Sequence, residues 1–118
     1  MPQHIPAPTT IPVPGGKVID EYVGRVNSAT EAVSVARMSA PGGWDEPAQA
    51  PEFDEVTLVL RGTVRVEHDG GVLDVRAGEA VLTRAGERVR YSAPDEDGAD
   101  YVAICVPAFS PEAARRED

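Results

Sequence analysis

The chain has 118 residues, 42% of them apolar, and sets 20 Asp and Glu against 11 Lys and Arg for a formal charge of −9. That length suits one domain around one core and leaves no room for two. The acidic excess repels phosphate backbones and anionic lipid surfaces, which argues against nucleic acid and membranes as partners.

Eleven glycines and eleven prolines favour short strands and turns, so an all-β class is expected. Residues 1–16 hold five prolines and end in Pro14-Gly15-Gly16; they read as an extended Pro-rich arm, free or laid on a neighbour. The N-terminus has neither a basic leader nor an apolar signal core, and no apolar run is long enough to cross a bilayer, so a cytoplasmic protein is expected. One domain is expected over 17–110. Lys17 to Val26 shows no clear pattern, whereas Ala32 to Met38 alternates as a first core strand stopped by Pro41-Gly42-Gly43. Trp44 to Phe53 is a polar loop carrying Asp45, Glu46, Gln49 and Glu52.

Glu55 to Leu60 and Thr63 to Glu67 are strands with a bend at Gly62. His68-Asp69-Gly70-Gly71 is a hairpin turn, because Asp-Gly supplies the positive φ that tight hairpins need. Val72 to Val75 returns as the paired strand. Ala77-Gly78 and Ala85-Gly86 bracket a short strand, Ala80 to Thr83. Arg88 to Ser92 and Tyr101 to Val106 complete the set, giving a sandwich or barrel. Residues 111–118 form a short polar tail whose start, Pro111 to Arg116, holds one helical turn. One cysteine, Cys105, excludes an internal disulfide and any Cys-cluster zinc site, and only His4 and His68 are available as imidazoles.

The spacings Glu55-x6-Gly62 and Gly78-x7-Gly86 resemble the ends of the two motifs of the cupin superfamily, over roughly Val33 to Pro107. Phe53-Asp54-Glu55-Val56, Arg61-Gly62-Thr63 and the ending Tyr101 to Phe109 are most similar to small single-domain bacterial cupins, the ethanolamine-utilisation Q-type proteins among them. The resemblance implies a jelly-roll β-sandwich or barrel with a central cavity. It also implies a metal held by three histidines and a glutamate, and there the chain departs from the pattern. The histidine positions fall on Gln49 and Pro51, or on Ala48 and Ala50 with the longer spacing, and on Val89; Arg84 and Ala93 stand at the Pro and Asn positions of the second motif. One carboxylate and one amide make a poor transition-metal site, so no tight metal and no other cofactor is expected. If a metal is held, Glu55 and Gln49 are its ligands.

With Glu55 facing inward, as its family position implies, alternation puts Thr57 and Val59 on the same face, and Val89, Tyr91 and Ala93 face in together. The expected pocket contains Trp44 at its mouth, Gln49, Thr57, Val59, Val89, Tyr101 and Cys105, with Arg37 as a candidate. A carboxyl in an apolar cavity gains a raised pKa suited to acid or base work, so Glu55, assisted by Tyr91, is the catalytic candidate. The competing reading pairs Glu55 with Arg37 or Arg90 as a purely structural ion pair. Cys105 lacks a basic neighbour and reads as core packing. The acidic group of Asp45, Glu46, Glu52, Asp54 and Glu55 lacks the order of a calcium loop and reads as solvated.

Three functions compete. The first is a binding or sensing domain for a small organic molecule. The second is a metal-independent isomerase, cyclase, dehydratase or lyase using Glu55. The third is a metal cupin with unusual ligands. The arm and open sheet edges further suggest a homodimer.

Overall fold

The computed structural model describes residues 1–117. Eight antiparallel strands account for the fold: β1 (Thr9–Pro12), β2 (Val18–Val23), β3 (Ser34–Ala40), β4 (Asp54–His68), β5 (Gly71–Arg76), β6 (Ala80–Thr83), β7 (Val89–Ser92) and β8 (Ala99–Val106), followed by one helical turn, α1 (Pro111–Ala114). Among the described residues no helix is long and apolar enough to cross a membrane.

The two strands expected around Gly62 are one long strand. β4 pairs with β8 and β6 through residues 54–62 and with β5 and β7 through residues 63–68, so it leaves one sheet and enters the other at the bend. A bulge between Val59 and Arg61 shifts the pleat by one residue there. Thr57 and Val59 are buried before the bend, Val64 and Val66 after it. This sheet-switching strand turns two layers into a jelly roll. In space the first sheet runs β1-β2-β3-β8-β4.

Lys17 to Val26, unpatterned in the sequence, supplies β2, whose register on β3 slips between Glu21 and Val23. Its buried positions hold Ile19 and the charged Glu21 while Val18 and Tyr22 are exposed, which is why hydrophobic alternation failed to reveal it. Part of the N-terminal extended segment belongs to the sheet: Thr9–Pro12 pairs antiparallel with Val18–Glu21, an edge position where a proline is tolerated. Further hydrogen bonds tie it down, from Thr10 Oγ1 to Asp20 Oδ1 at 2.6 Å and from Asn27 Nδ2 to the Ala7 carbonyl at 3.0 Å.

The interior holds two apolar clusters. The larger gathers Trp44, Val59, Val64, Val66, Val89 and Tyr101 with smaller neighbours; the other packs Phe53, Cys105 and Ala114 against Phe109 and Ala113. Strand alternation builds both, as on β8, where Ala99, Tyr101, Ala103 and Cys105 all point inward.

Candidate functional site

A cavity of about 230 Å³ opens between the two clusters. Its wall is mainly apolar, with Ile11 and Pro12 from β1, Met38 from β3, Phe53 before β4, and Phe109 near the C-terminus. Polar groups enter from most elements: Glu55 and Thr57 on β4, Tyr91 on β7, Tyr101 and Cys105 on β8, Glu21 on β2, Ser34 on β3, Lys17 before β2, and Glu46 and Gln49 from the loop after β3. Arg116 enters from the C-terminal segment.

The loop reaches the cavity because it is stitched to β7. Gln49 and Val89 exchange backbone hydrogen bonds of 2.9 and 2.8 Å, and the Glu46 amide donates to the Tyr91 carbonyl at 3.3 Å. The C-terminal segment is held in the same way. Ser110 Oγ caps α1 by accepting from the Ala113 amide at 3.1 Å, the Glu52 amide donates to the Ala113 carbonyl at 2.8 Å, and the Glu117 amide donates to the Ala48 carbonyl at 2.8 Å. Arg116 thereby lies over the cavity, its Nε donating to Gln49 Oε1 at 3.3 Å and its guanidinium 3.5 Å from Glu46 Oε2.

Burial dominates the chemistry. It lifts the Glu55 carboxyl to about 7, with repulsion from Glu46 adding to the effect and attraction from Lys17 and Arg116 opposing it. Near neutral pH this group is therefore divided between proton donor and proton acceptor. Burial first, and the nearby Glu55 second, push Tyr91 and Cys105 above their ordinary ranges; burial and then Glu46 do the same to Tyr101. Both phenols stay neutral, and a Cys105 thiolate is disfavoured. Tyr91 Oη shares a hydrogen bond of 3.1 Å with Thr83 Oγ1. Burial lowers Lys17, opposed by the charge of Glu46.

The structure brings together Glu55, Thr57, Gln49, Tyr91, Tyr101 and Cys105, six of the residues expected in the pocket. Val59 and Val89 face inward but are sealed in the larger apolar cluster. Trp44 is in that cluster too and borders an adjoining smaller chamber of about 110 Å³. Arg37 is a correction. It alternates with the inward Ala36, so its side chain points out, 3.8 Å from Asp100. Arg90 likewise faces out and pairs with Glu67 and Asp45. Neither arginine reaches Glu55, so the ion pairs weighed against its functional role are not formed.

The acidic loop disperses. Asp45 meets Arg90, Glu52 meets Arg115, Asp54 accepts from the Ala85 amide, and Glu46 and Glu55 enter the cavity. His68 accepts a hydrogen bond from Gly70 in the hairpin, and His4 is exposed. Four charged cavity residues were not expected there: Lys17, Glu21, Glu46 and Arg116. A lysine directly after a Pro-Gly-Gly turn and an arginine in a polar tail carry no pattern that distinguishes them from surface charges.

The model of the family described as "Cupin domain" matches residues 37–105. The chain belongs to the cupin family. It is 47% identical over 107 residues to a protein named "Endoribonuclease YbeY" of Myxococcus xanthus; the match takes in 91% of this chain but spans only 36% of that protein. Among solved structures, Pac13, a nucleoside dehydratase of Streptomyces, superposes with a TM-score of 0.76 at 14% identity, over 99% of this cupin and 90% of Pac13. An ethanolamine utilization protein Q of Salmonella typhimurium superposes with a TM-score of 0.62 at 19% identity, over 79% of this chain and 71% of that one. These structural likenesses bear on the fold.

The residues of this cupin do not suit the metal that the resemblance implies. Of the two candidate ligands, Gln49 already accepts from Arg116, and Glu55 stands in the field of two cationic side chains, Lys17 and Arg116. Among the described residues no three side chains of His, Cys, Asp or Glu converge. Imidazole and carboxylate sets hold transition metals; carboxyls without an imidazole, set beside an ammonium and a guanidinium, make a poor one.

Proposed function

We propose that this cupin binds a small organic molecule in its cavity, without a tightly held metal ion. The observation that carries the reading is a cavity of about 230 Å³ whose apolar wall is interrupted by a few convergent polar groups, Glu55, Tyr91, Tyr101 and Lys17 among them. Apolar pockets with sparse polar points are the usual form of small-molecule sites. The reading places the protein in the cytoplasm, where a free thiol such as the buried Cys105 stays reduced.

Filling the cavity tests this. Ala103 is a small inward residue of the cavity wall, and Ala103→Phe is expected to abolish the thermal stabilisation that bound compounds give the wild type while the circular dichroism spectrum is kept. Elemental analysis after chelation is expected to find less than about a tenth of an equivalent of iron, manganese, nickel or zinc, given a donor set this poor. Near-stoichiometric metal surviving chelation would overturn the metal-free reading and favour Glu55 and Gln49 as ligands.

A second reading rests on Glu55 itself. A carboxyl at about 7 beside a neutral Tyr91 hydroxyl suits general acid–base chemistry on a bound carbonyl compound, such as isomerisation or elimination of water. That Pac13, of similar fold, is a nucleoside dehydratase supports this as chemistry such a cavity can house.

The protein is proposed to act as a homodimer. Because Thr9–Pro12 pairs within its own chain, the case rests on the outer face of the first sheet instead of on arm exchange. Leu58, Leu82 and Val106 are 39%, 47% and 52% exposed there, the first two in register with Val102 and Val56 and the third with Asp54 at the edge of the patch. Apolar sheet faces of this kind mark protein–protein contacts. Light scattering at micromolar concentration is expected to give twice the monomer mass, and Leu58→Lys to return it to one.

A further inference from the structure

Lys17 poses a problem of unused donors. Its side chain is 5% exposed, and its Nζ lies 4.1 Å from the centre of the Trp44 ring and 5.4 Å from that of Tyr101. Aromatic faces attract a cation but offer no lone pair in the direction of each N–H. The carboxylate beside it, Glu46 Oε2, is 4.0 Å away, outside hydrogen-bonding reach. The ammonium therefore faces open space with donors to give.

That open space lies between two chambers. Lys17, Glu46 and Arg116 line both the larger cavity and the smaller one beside Trp44, and form a waist between them. Arg116 spends its Nε on Gln49 and stands only 3.5 Å from Glu46, so its fork retains donors. At the waist two cations, Lys17 and Arg116, face Glu46, and the Glu55 carboxyl of the larger chamber lies in the field of both. On the far side Met38, Phe53, Phe109 and Ile11 offer an apolar bed. Glu55 belongs to the larger chamber.

We infer that the ligand is a small organic acid whose carboxylate seats in the waist between Lys17 and Arg116 while its apolar body fills the larger chamber. The unspent donors of a guanidinium fork suit carboxylate oxygens, and the neighbouring ammonium adds a point charge, while Glu46 and Glu55 close by weigh against a phosphate dianion. The inference rests on the reading of the cavity as a small-molecule site and adds the class of molecule.

Calorimetry on the full chain at pH 7 tests it with three pairs of probes: benzoate and benzyl alcohol, phenylacetate and phenylacetamide, hexanoate and hexanol. Each acid is expected to bind at least about tenfold more tightly than its neutral partner, the range of a charge-assisted contact. The preference is expected to collapse in Lys17→Met and in Arg116→Gln. The second position is 40% exposed at its side chain, so that variant carries the test should the first fail to fold. Equal binding of acids and neutral partners, or an undiminished preference in a folded variant, would overturn the carboxylate inference and leave the cavity reading standing. No binding by any of the six would overturn both.

Discussion

Glu55→Gln is expected to stabilise the protein by up to about 3 kcal/mol at pH 8 and to have little effect at pH 4. In the folded protein the carboxyl titrates near 7, against an ordinary value of 4.5. Between those values the folded state binds more protons than the unfolded state, so stability falls as pH rises through the window and is level above it. Glutamine, neutral in both states, removes that slope. Asp74, Asp100 and Glu117 are held low by Arg65, Arg61 and Arg88 respectively, so they titrate below the window. Lys17, lowered from 10.5 chiefly by burial, feels Glu55 only as the smallest of its causes, so its titration differs little between wild type and variant. Urea unfolding of both proteins at pH 4, 6 and 8 checks the result. A difference independent of pH would mean that Glu55 stays ionised and paired, and would remove it as an acid or base. On the acid–base reading the same variant loses at least about a hundredfold in turnover while remaining folded.

Gly98→Ala is expected to cost about 3 kcal/mol or more, a large fraction of the 5–15 kcal/mol typical of a domain. Its φ is +76°, where an alanine pays about 1–2 kcal/mol for the left-handed conformation. A Cβ there would also lie 2.0 Å from the Ala40 carbonyl oxygen, which is backbone and cannot swing away. The same crossing explains the motif glycine at the bend of β4: a Cβ on Gly62 would meet the Gly98 carbonyl oxygen at 2.2 Å. Gly86→Ala is the control. It has a φ of +89° but no atom within 4 Å of the added Cβ, so only the conformational cost remains, about 1–2 kcal/mol. Thermal unfolding is expected to separate the two by about 5 °C or more; equal losses would show that the backbone crossing yields.

Several site residues were legible because their positions follow from local rules. The period of two placed Glu55 and Thr57 on one face of β4 and Tyr91 on the inner face of β7, and the structure agrees on each. The same rule overreached with Val59 and Val89, since pointing inward does not distinguish sealed core from cavity wall. Arg37 shows the converse: alternation assigns it outward, and only the search for a partner for Glu55 drew it in. Lys17, Glu46 and Arg116 were illegible for another reason. They reach the cavity from a turn, a loop and a tail, and only pairing across the molecule brings Lys17 and Arg116 within 4.0 Å of Glu46.

What the sequence by itself determined is the class and the frame: short strands with an inner and an outer face, the turns at Gly70, Gly78 and Gly86, and the absence of histidines where the family's pattern has them. These follow from backbone sterics and from side-chain chemistry, which act over a few residues. What only the tertiary structure decided is the electrostatics of the cavity. A carboxyl is lifted toward neutrality, and an ammonium lowered, by the water that packing excludes and by charges that lie far off along the chain: Glu55 feels Lys17 and Arg116 because the ends of the chain close over it. Desolvation and Coulomb energy depend on distance in space, and the sequence states only distance along the chain.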